Sequence, residues 1–421
     1  MSKALKHGAL LWGLFLVPSA LAANPDDIQK LKETRQCTGC DLQGANLSGA
    51  YLQQANLQGA NLAGASLNGA DLRGAYLLEA NLQAADLRNA DLTGANLNQA
   101  DLSRARLRNT LIDDRTVLAD KWRLVHTLNN EGTAGIALTD VDLSGANLQE
   151  LDLRSLDLSG TNLAGATLEG ANLAGSNLTE SDLAGSSLFI ANLEDVQLTR
   201  ADLTEADLRA VNLPGADLTG SDLTDADLAI ARLEQATLTD TNLRNTNLET
   251  AILPGADLAN ADLTQANLFL SDLEGTNLTG VTLDDARLTG ANLTDAAVLQ
   301  SSLQGADLEA IASRNGNLQG TDLSRLNLAN VDLRGANLSG ADLSSTNLSN
   351  ANLRNADLSA TNLQGANLSQ ADLTGANLTG ANLRQVNFAG ANLTQATLEA
   401  ITTGNTNFCG AIMPDGVERA C

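Results

Sequence analysis

The chain has 421 residues, of which 43% are apolar and 18% charged, but only 2% are aromatic, so any core must consist of small and medium-sized aliphatic side chains. Its formal net charge is −25, and residues 138–310 hold 29 acidic and 6 basic side chains, a net charge of −23. This excess of acid disfavours direct binding to nucleic acid or anionic lipid, because both carry charge of the same sign.

Residues 1–22 have the three parts of a secretory signal peptide. A basic start with two lysines is followed by an apolar run at 9–17 and by the small-residue sequence ALA, which ends at position 22. The apolar run is shorter than the ~20 residues that a membrane span needs. We therefore predict export to the periplasm, or to a thylakoid lumen or the extracellular space, with a mature chain that begins at Ala23 and spans no membrane.

Residues 23–41 follow as a predicted N-terminal capping segment. The sequence NPDD at 24–27 is a strong helix start, because Asn is a favoured N-cap, Pro fits the first turn, and acids are favourable at the positive end of a helix. Apolar residues of this helix can cover the first coil of the structure that follows. A cysteine pair, Cys37 and Cys40, ends the segment.

A large apolar residue recurs at every fifth position in two blocks, residues 42–117 and 138–408, with Ser313 and Thr403 as the two exceptions in the second block. The residue two before it is nearly always small, and the one directly before it is usually Asn or Asp. A period of five fits neither a helix nor a flat strand, so the chain must turn a corner in every repeat. If each repeat forms one side of a square coil, both apolar residues point inward, and coils of four repeats stack at the ~4.8 Å spacing of paired strands. The interval from Val117 to Leu138 places a slip of one residue between the blocks.

This motif, written ADLTG, ANLSG or TNLQG in the chain, resembles that of the pentapeptide-repeat family. The resemblance covers about nine-tenths of the mature chain and implies an all-β solenoid, a right-handed quadrilateral β-helix. The first block holds 16 units and the second, counted through Met413, holds 56, which predicts about 18 coils and a length of roughly 86 Å. The expected fold is completed by the short N-terminal capping helix and one helical interruption.

That geometry separates the cysteines into two pairs. A disulfide needs Cα atoms within about 7 Å, so we predict Cys37–Cys40 at one end and Cys409–Cys421 at the other, the second within a C-terminal cap of residues 409–421. A redox motif and a metal site are weaker alternatives, because the βαβ context is missing and each end has only two thiols. Exported family members of cyanobacteria and of the chloroplast lumen have a similar C-x-x-C-D-L start and C-x-x-x-M-P-D-G end.

Residues 118–137 interrupt the repeat and predict a short amphipathic helix. Four of its apolar residues share one helical arc: Trp122, Leu124, Val125 and Leu128. The helix is either a docking site for a partner or a plug laid back over the coils, and the plug is favoured because an amphipathic face is usually covered by its own protein. His126, the only histidine of the mature chain, is expected to be solvated on the flank of this helix.

In one part of the second block, apolar side chains occupy outward positions that are normally polar: Phe189, Ile190, Ile230, Phe269 and Leu270. They recur at every second predicted coil and therefore lie on one side. Clustered exposed apolar groups predict a surface for a protein partner. Corner packing inherited with the repeat is the alternative.

No arrangement of residues predicts catalysis, since a filled square coil has no cleft and the many carboxylates are distributed over all four sides. The sequence predicts a non-catalytic, exported structural or protein-interaction scaffold with an unknown protein partner, and no metal or cofactor. One alternative is an acidic DNA mimic that inhibits a DNA-binding protein such as gyrase, as some family members do. A further alternative is an ice- or water-ordering surface on a file of threonines: Thr179, Thr199, Thr219, Thr239 and Thr279.

Overall fold

The computed structural model describes residues 23–298, 313 and 316–421, so the predicted signal segment lies outside the described residues. The chain divides into two compact units, Met1–Glu131 and Gly132–Cys421. Two helices occur in the described part, α1 at Pro25–Thr34 and α2 at Asp120–Asn130, both in the first unit. Neither is long and apolar enough to cross a membrane.

Outside the helices, each unit is a four-sided solenoid in which four repeats make one coil. Asp41 pairs in parallel with Asn61, and Asn61 with Asn81; in the second unit Asp182 pairs with Asp202 in the same way. Each repeat contributes one bridged residue, so the sides are shorter than ordinary strands. The corner in every repeat that the sequence predicts is therefore present, but extended strands are not seen in the described residues.

Backbone hydrogen bonds along the solenoid join each coil to the next. The amide of Leu42 donates to the carbonyl of Asn61 (2.8 Å), and the amide of Gly44 donates to that of Ala63 (2.9 Å). In the opposite direction, the amide of Asn61 donates to Cys40 (2.9 Å). Three of the five amides in a repeat are thus satisfied by neighbouring coils, as burial of the backbone requires.

The two remaining amides are satisfied within the corner itself. The amide of Gln43 donates to Asp41 Oδ1 (3.3 Å), and that of Ala45 donates to the carbonyl of Leu42 (3.0 Å). The Asp side chain takes the place of a backbone acceptor, which explains why Asn or Asp precedes the leucine. Gly44 has a φ of 67°, in the left-handed region that favours glycine.

Leucine fills the interior of both units. Leu62, Leu218 and Leu368 have no exposed surface, and each such side chain stabilises the fold by about 2 kcal/mol. Where the small inward residue is Ser or Thr, its hydroxyl usually donates to a backbone carbonyl, as Ser176 does to Leu173 (2.6 Å). The hydroxyls of Ser186, at such a position, and of Ser313, at a leucine position, are exceptions without a partner in the described residues. The narrow interior therefore accepts small polar residues that pair their hydroxyls with the backbone.

The register of the first unit changes earlier than the sequence predicts. Val117, expected to point inward, bridges Asn96 one position later than the regular register would place the pair, and it is 48% exposed. The extra residue lies in the preceding turn, where Asp113 Oδ1 accepts the amide of Gly94 (2.8 Å) and Thr116 Oγ1 accepts the amide of Asp113 (3.0 Å). These side chains supply hydrogen-bond acceptors for the longer turn, so the register shifts by one residue before Val117. The shift predicted after Val117 is therefore wrong.

Helix α1 begins where the sequence predicts. Asn24 Oδ1 accepts the amide of Asp26 (3.0 Å) as an N-cap. Two further hydrogen bonds join the helix to the first coil, from the amide of Asn24 to the carbonyl of Asp41 (3.0 Å) and from the amide of Asp41 to Asp27 Oδ2 (3.0 Å). Leu31, on the inner side of the helix, is fully buried.

At the other terminus, the chain folds back as a hairpin along the last coil. Ile412 pairs in parallel with Asn392 and antiparallel with Glu418. The amide of Met413 donates to the carbonyl of Val417 (2.9 Å), which closes the turn. The hairpin therefore occupies backbone groups that would otherwise form an open sheet edge.

Candidate interaction surfaces

Both cysteine pairs are disulfides in the structure. Cys37 is bonded to Cys40 with Cα atoms 5.2 Å apart, and Cys409 is bonded to Cys421 with Cα atoms 4.3 Å apart. The first lies between α1 and the first coil, and the second brackets the C-terminal hairpin. Among the described residues, no group of three or more His, Cys, Asp or Glu side chains is placed to hold a metal ion.

Helix α2 lies over the last coil of the first unit. Three of its side chains bind backbone carbonyls of that coil: Arg123 Nη2 to Thr116 (2.8 Å), His126 Nε2 to Thr110 (2.9 Å) and Asn130 Nδ2 to Leu107 (3.1 Å). Asn130 Oδ1 also accepts the amide of Asn109. Within the first unit, the described bridges give this coil no successor, so the helix supplies partners that a further coil would have supplied.

The apolar face of α2 is covered. Trp122, Val125 and Leu128 are buried, and Leu124 is half-buried. His126 is only 6% exposed, so the expectation of a solvated histidine is wrong. It is buried because this flank of the helix faces the open backbone of the coil. Its Nδ1 has no hydrogen-bond partner among the described residues.

One corner of the second unit carries an aliphatic residue in alternate coils. We define the aliphatic corner as Ile190, Ala210, Ile230, Thr250 and Leu270, which follow one another at one residue per coil. Ile190 is 56% exposed, Ile230 60% and Leu270 52%. The register of the coils thus aligns three of the residues predicted as a partner surface in one file. Neighbouring members of the three are two coils, or about 9.6 Å, apart.

The two phenylalanines of the predicted surface are less open than the aliphatic residues. Phe189 is partly exposed, and Phe269 is half-buried. The guanidinium carbon of Arg209 lies 5.5 Å from the ring centroid of Phe189, and that of Arg287 lies 4.0 Å from the centroid of Phe269. Each ring therefore already has a cationic partner within the chain.

The aliphatic corner is also strained. Ile190, Ile230 and Leu270 have φ values of 54°, 62° and 55°, in the left-handed region where most corners of the chain hold Gly, Asn, Asp or Gln. A β-branched residue with this conformation is an outlier, at a cost of about 1–2 kcal/mol. Among the described residues with positive φ, the β-branched ones are Ile190, Ile230 and Thr250, and all three lie at this corner.

Charged pairs on the surface follow a D-L-R pattern within single repeats. In each pair, Arg Nε and Nη2 donate to the two carboxylate oxygens, as Arg154 does to Asp152 at 2.8 and 2.7 Å. The hydrogen bond from the Arg154 side chain lowers the pKa of Asp152 to about 2. Arg73 has the same effect on Asp71, whose pKa is also about 2. The arginine side chains of these pairs are 43–58% exposed, so solvent screens the pairs and they contribute little to the stability of the fold.

We expect the stability that these pairs contribute to be lost in acid. A lowered pKa stabilises the folded chain above the unfolded value of about 3.9, and this contribution disappears as the pH falls through about 2. In Arg154→Gln, the pKa of Asp152 should return towards the ordinary value. Carboxyl NMR titration measures that pKa directly, and an unchanged value near 2 in the variant would contradict the assignment to Arg154.

The threonine file does not present a uniform row of free hydroxyls. Thr219 Oγ1 donates to Asp217 Oδ1 (2.6 Å), and Thr199 Oγ1 donates to Asp217 Oδ2 (3.3 Å). These hydroxyls are committed to a carboxylate of their own chain. The geometry therefore offers less support for a water-ordering surface than the sequence alone does.

The chain matches a protein-family model described as pentapeptide repeats in eight copies. The matched residues are 36–74, 75–112, 136–173, 157–189, 191–228, 231–268, 271–309, 314–350 and 351–390. They make up well over half of the chain. No curated protein sequence matches the chain significantly.

Several solved structures are similar over part of the chain. HetL, a pentapeptide-repeat protein involved in heterocyst differentiation regulation from Nostoc sp. strain PCC 7120, is 37% identical, with 51% of this chain and 91% of that chain covered and a TM-score of 0.24. QnrB1, a plasmid-mediated fluoroquinolone resistance protein, is 21% identical (39% and 88% covered, TM-score 0.26). A pentapeptide-repeat protein of the Arabidopsis thaliana thylakoid lumen is 28% identical (32% and 69% covered, TM-score 0.10).

Proposed function

The chain belongs to the pentapeptide-repeat family, whose members fold as right-handed quadrilateral β-helices, and on that premise we propose that it is a non-catalytic, exported scaffold that binds another protein. The observation that carries the proposal is the aliphatic corner. Ile190, Ile230 and Leu270 are more than half exposed and have left-handed backbone. Residues whose role is to pack the core would be buried, and residues whose role is to form the left-handed turn would be Gly or Asn.

Strain without burial is the physical reason to assign a function to this corner. The left-handed backbone of an exposed Ile destabilises the fold. Because the side chain is exposed, little apolar burial offsets this cost. Strained residues of this kind concentrate at functional sites, where another requirement outweighs stability. A file of exposed aliphatic groups in alternate coils also matches the composition of protein-binding patches. In the coils that the structure describes, the leucine-filled interior gives a substrate no comparable site.

We further propose that α1, α2 and the C-terminal hairpin are caps. Ends of a solenoid have unpaired backbone and open apolar cores, which favour edge-to-edge association unless they are covered. On this proposal the mature chain consists of a capping helix with its cysteine pair (23–41), a first repeat block (42–117), the helical interruption (118–137), a second block (138–408) and a C-terminal cap (409–421). The repeat count predicts about 18 coils.

Export is the part of the proposal that rests on the signal segment at positions 1–22. Expression of the full chain in a host with a periplasm should yield a product that begins at Ala23, because the small-residue site follows the apolar run. Intact mass and N-terminal sequencing of the periplasmic fraction measure this. A chain that keeps Met1 and stays in the cytoplasm would contradict export and leave the binding proposal to be judged separately.

Affinity capture tests the scaffold function itself. The mature chain is immobilised beside a variant in which Ile190, Ile230 and Leu270 are all replaced by Asn, and both are exposed to the exported fraction of the source cells. A protein recovered on the native chain and lost on the variant supports the proposal. Failure of the native chain to retain any protein would overturn it.

A further inference from the structure

A file of glutamates accompanies the aliphatic corner, on the next corner of the same coils. Glu194, Glu234 and Glu274 each follow an aliphatic residue by four positions, in the sequences IANLE, IARLE and LSDLE. Each glutamate takes the outward turn position of its own repeat. One face of the second unit is therefore bordered by aliphatic side chains on one corner and by carboxylates on the other.

The coils in between carry neither group. Their corresponding positions hold Ala210 with Pro214 and Thr250 with Pro254. The aliphatic–acid pair thus recurs every second coil, or about every 9.6 Å along the axis. Since both borders skip the same coils, the two files form one repeated pattern with three stations, at 190/194, 230/234 and 270/274.

Carboxylate oxygens of the glutamate file are available to accept hydrogen bonds from a partner. Glu194 and Glu274 are exposed. Glu234 Oε1 accepts Arg232 Nε (3.0 Å) and Nη2 (2.8 Å), whereas Glu234 Oε2 is buried and has no hydrogen-bond partner in the described part of the chain. Donors of a partner can therefore reach the exposed carboxylates of Glu194 and Glu274 directly, whereas Glu234 is already paired with Arg232.

We propose that this face binds a basic amphipathic helix of a partner protein. The inference rests on the proposed scaffold function and names the partner's chemistry. Aliphatic side chains of the helix pack on the aliphatic corner, and its Lys or Arg side chains meet the glutamate file. Residues seven apart on a helix lie about 10.5 Å from each other, close to the ~9.6 Å between stations, so one helix can contact all three.

Charge favours a cationic partner over a second copy of this chain. Residues 138–310 have a net charge of −23, and an identical surface would meet it with the same sign. Complementary charge steers association and fixes which partners are accepted. The aliphatic file then supplies the desolvated contacts that give an interface most of its affinity.

The test uses two designed peptides of about 18 residues, long enough for roughly five helical turns. Both have the same leucine stripe, and the remaining positions are Lys in one and Glu in the other. Fluorescence anisotropy measures their binding to the mature chain. We expect the Leu/Lys peptide to bind and the Leu/Glu peptide not to bind. No binding of the Leu/Lys peptide would overturn the proposal.

Two triple variants locate the binding. The aliphatic variant replaces Ile190, Ile230 and Leu270 by Asn, and the acidic variant replaces Glu194, Glu234 and Glu274 by Gln. Each should weaken the Leu/Lys peptide at least about ten-fold. The aliphatic variant should melt at the same or a higher temperature than the native chain, because Asn tolerates left-handed backbone better than Ile. Its loss of binding would then not reflect unfolding.

A matched control removes equal charge elsewhere. Glu205→Gln with Asp225→Asn and Asp285→Asn changes three exposed acids on a different corner, all with left-handed backbone. This control should bind the peptide as the native chain does. Equal weakening by the control and the acidic variant would show that binding follows net charge. Undiminished binding by the aliphatic variant would show that the aliphatic corner takes no part. Either result overturns the proposal. A partner captured equally by the native chain and the acidic variant would refute the glutamate contacts and leave the scaffold function intact.

Discussion

Val125→Asp is expected to release α2 from the last coil of the first unit and to destabilise that unit by about 3–5 kcal/mol, the range for a buried charge without a partner. Val125 has no exposed surface and lies on the covered face of the helix with Trp122 and Leu128. A carboxylate at this position must either remain desolvated or pull the helix into water. The second outcome also breaks the hydrogen bond of His126 to Thr110.

Trp122 reports on this event, because the only other tryptophan of the chain, Trp12, lies in the predicted signal segment and is absent from a chain that begins at Ala23. Native emission should be blue-shifted and weakly quenched by iodide, and the variant should shift to the red and become quenchable. Urea unfolding followed at the same wavelength gives the loss of stability. Thr127→Asp, which adds the same charge at a half-buried position on the helix, should have a much smaller effect. Native emission that is already red-shifted would instead indicate a solvent-exposed helix available for docking.

The solenoid was predictable because a single short motif satisfies nearly every local requirement at once. Leu fills the interior, Asn or Asp closes the corner through its side chain, and Gly supplies the left-handed turn. The five amides of the repeat around Leu62 all find acceptors by this arrangement. When local preferences agree with the global fold in every repeat, period alone is enough to infer the architecture.

The register near the end of the first block was not predictable from that period. Ile112 and Val117 keep large apolar residues at intervals of five, so the pattern continues across a turn that contains an extra residue. The turn depends on Asp113 and Thr116, whose side chains bind backbone groups. Burial of His126 was missed for a related reason, because it follows from open carbonyls on a coil and not from the helix sequence.

The strain at the aliphatic corner could have been found from sequence, but only after the geometry of the motif was known. The fifth position of the repeat is the left-handed one, and the sequence shows Ile at 190 and 230 where Gly is common. An exposed Ile is unusual because its apolar side chain meets water. Its left-handed backbone in addition lowers the stability of the fold. The glutamate file needed the further step of aligning the chain by pairs of coils instead of by single repeats.

Phe388→Ala is expected to destabilise the second unit by about 3–5 kcal/mol, as large-to-small substitutions of buried aromatic residues do. Phe388 takes an inward leucine position and has no exposed surface. Its ring stacks on that of Phe408 in the next coil, with centroids 5.3 Å apart and planes 6° from parallel. Loss of the ring leaves a cavity and removes this stacking contact.

The effect should extend to the C-terminal hairpin. Arg419 lies over the ring of Phe408, at 5.7 Å from its centroid, and its amide donates to the carbonyl of Ala411 (2.8 Å). Hydrogen exchange of residues 409–421 should therefore increase in Phe388→Ala. Phe388→Leu, which restores the common residue of the motif, should cost less than about 1.5 kcal/mol. Equal losses in the two variants would mean that the last coils do not depend on the ring, and that the stacked pair has no part in holding the hairpin.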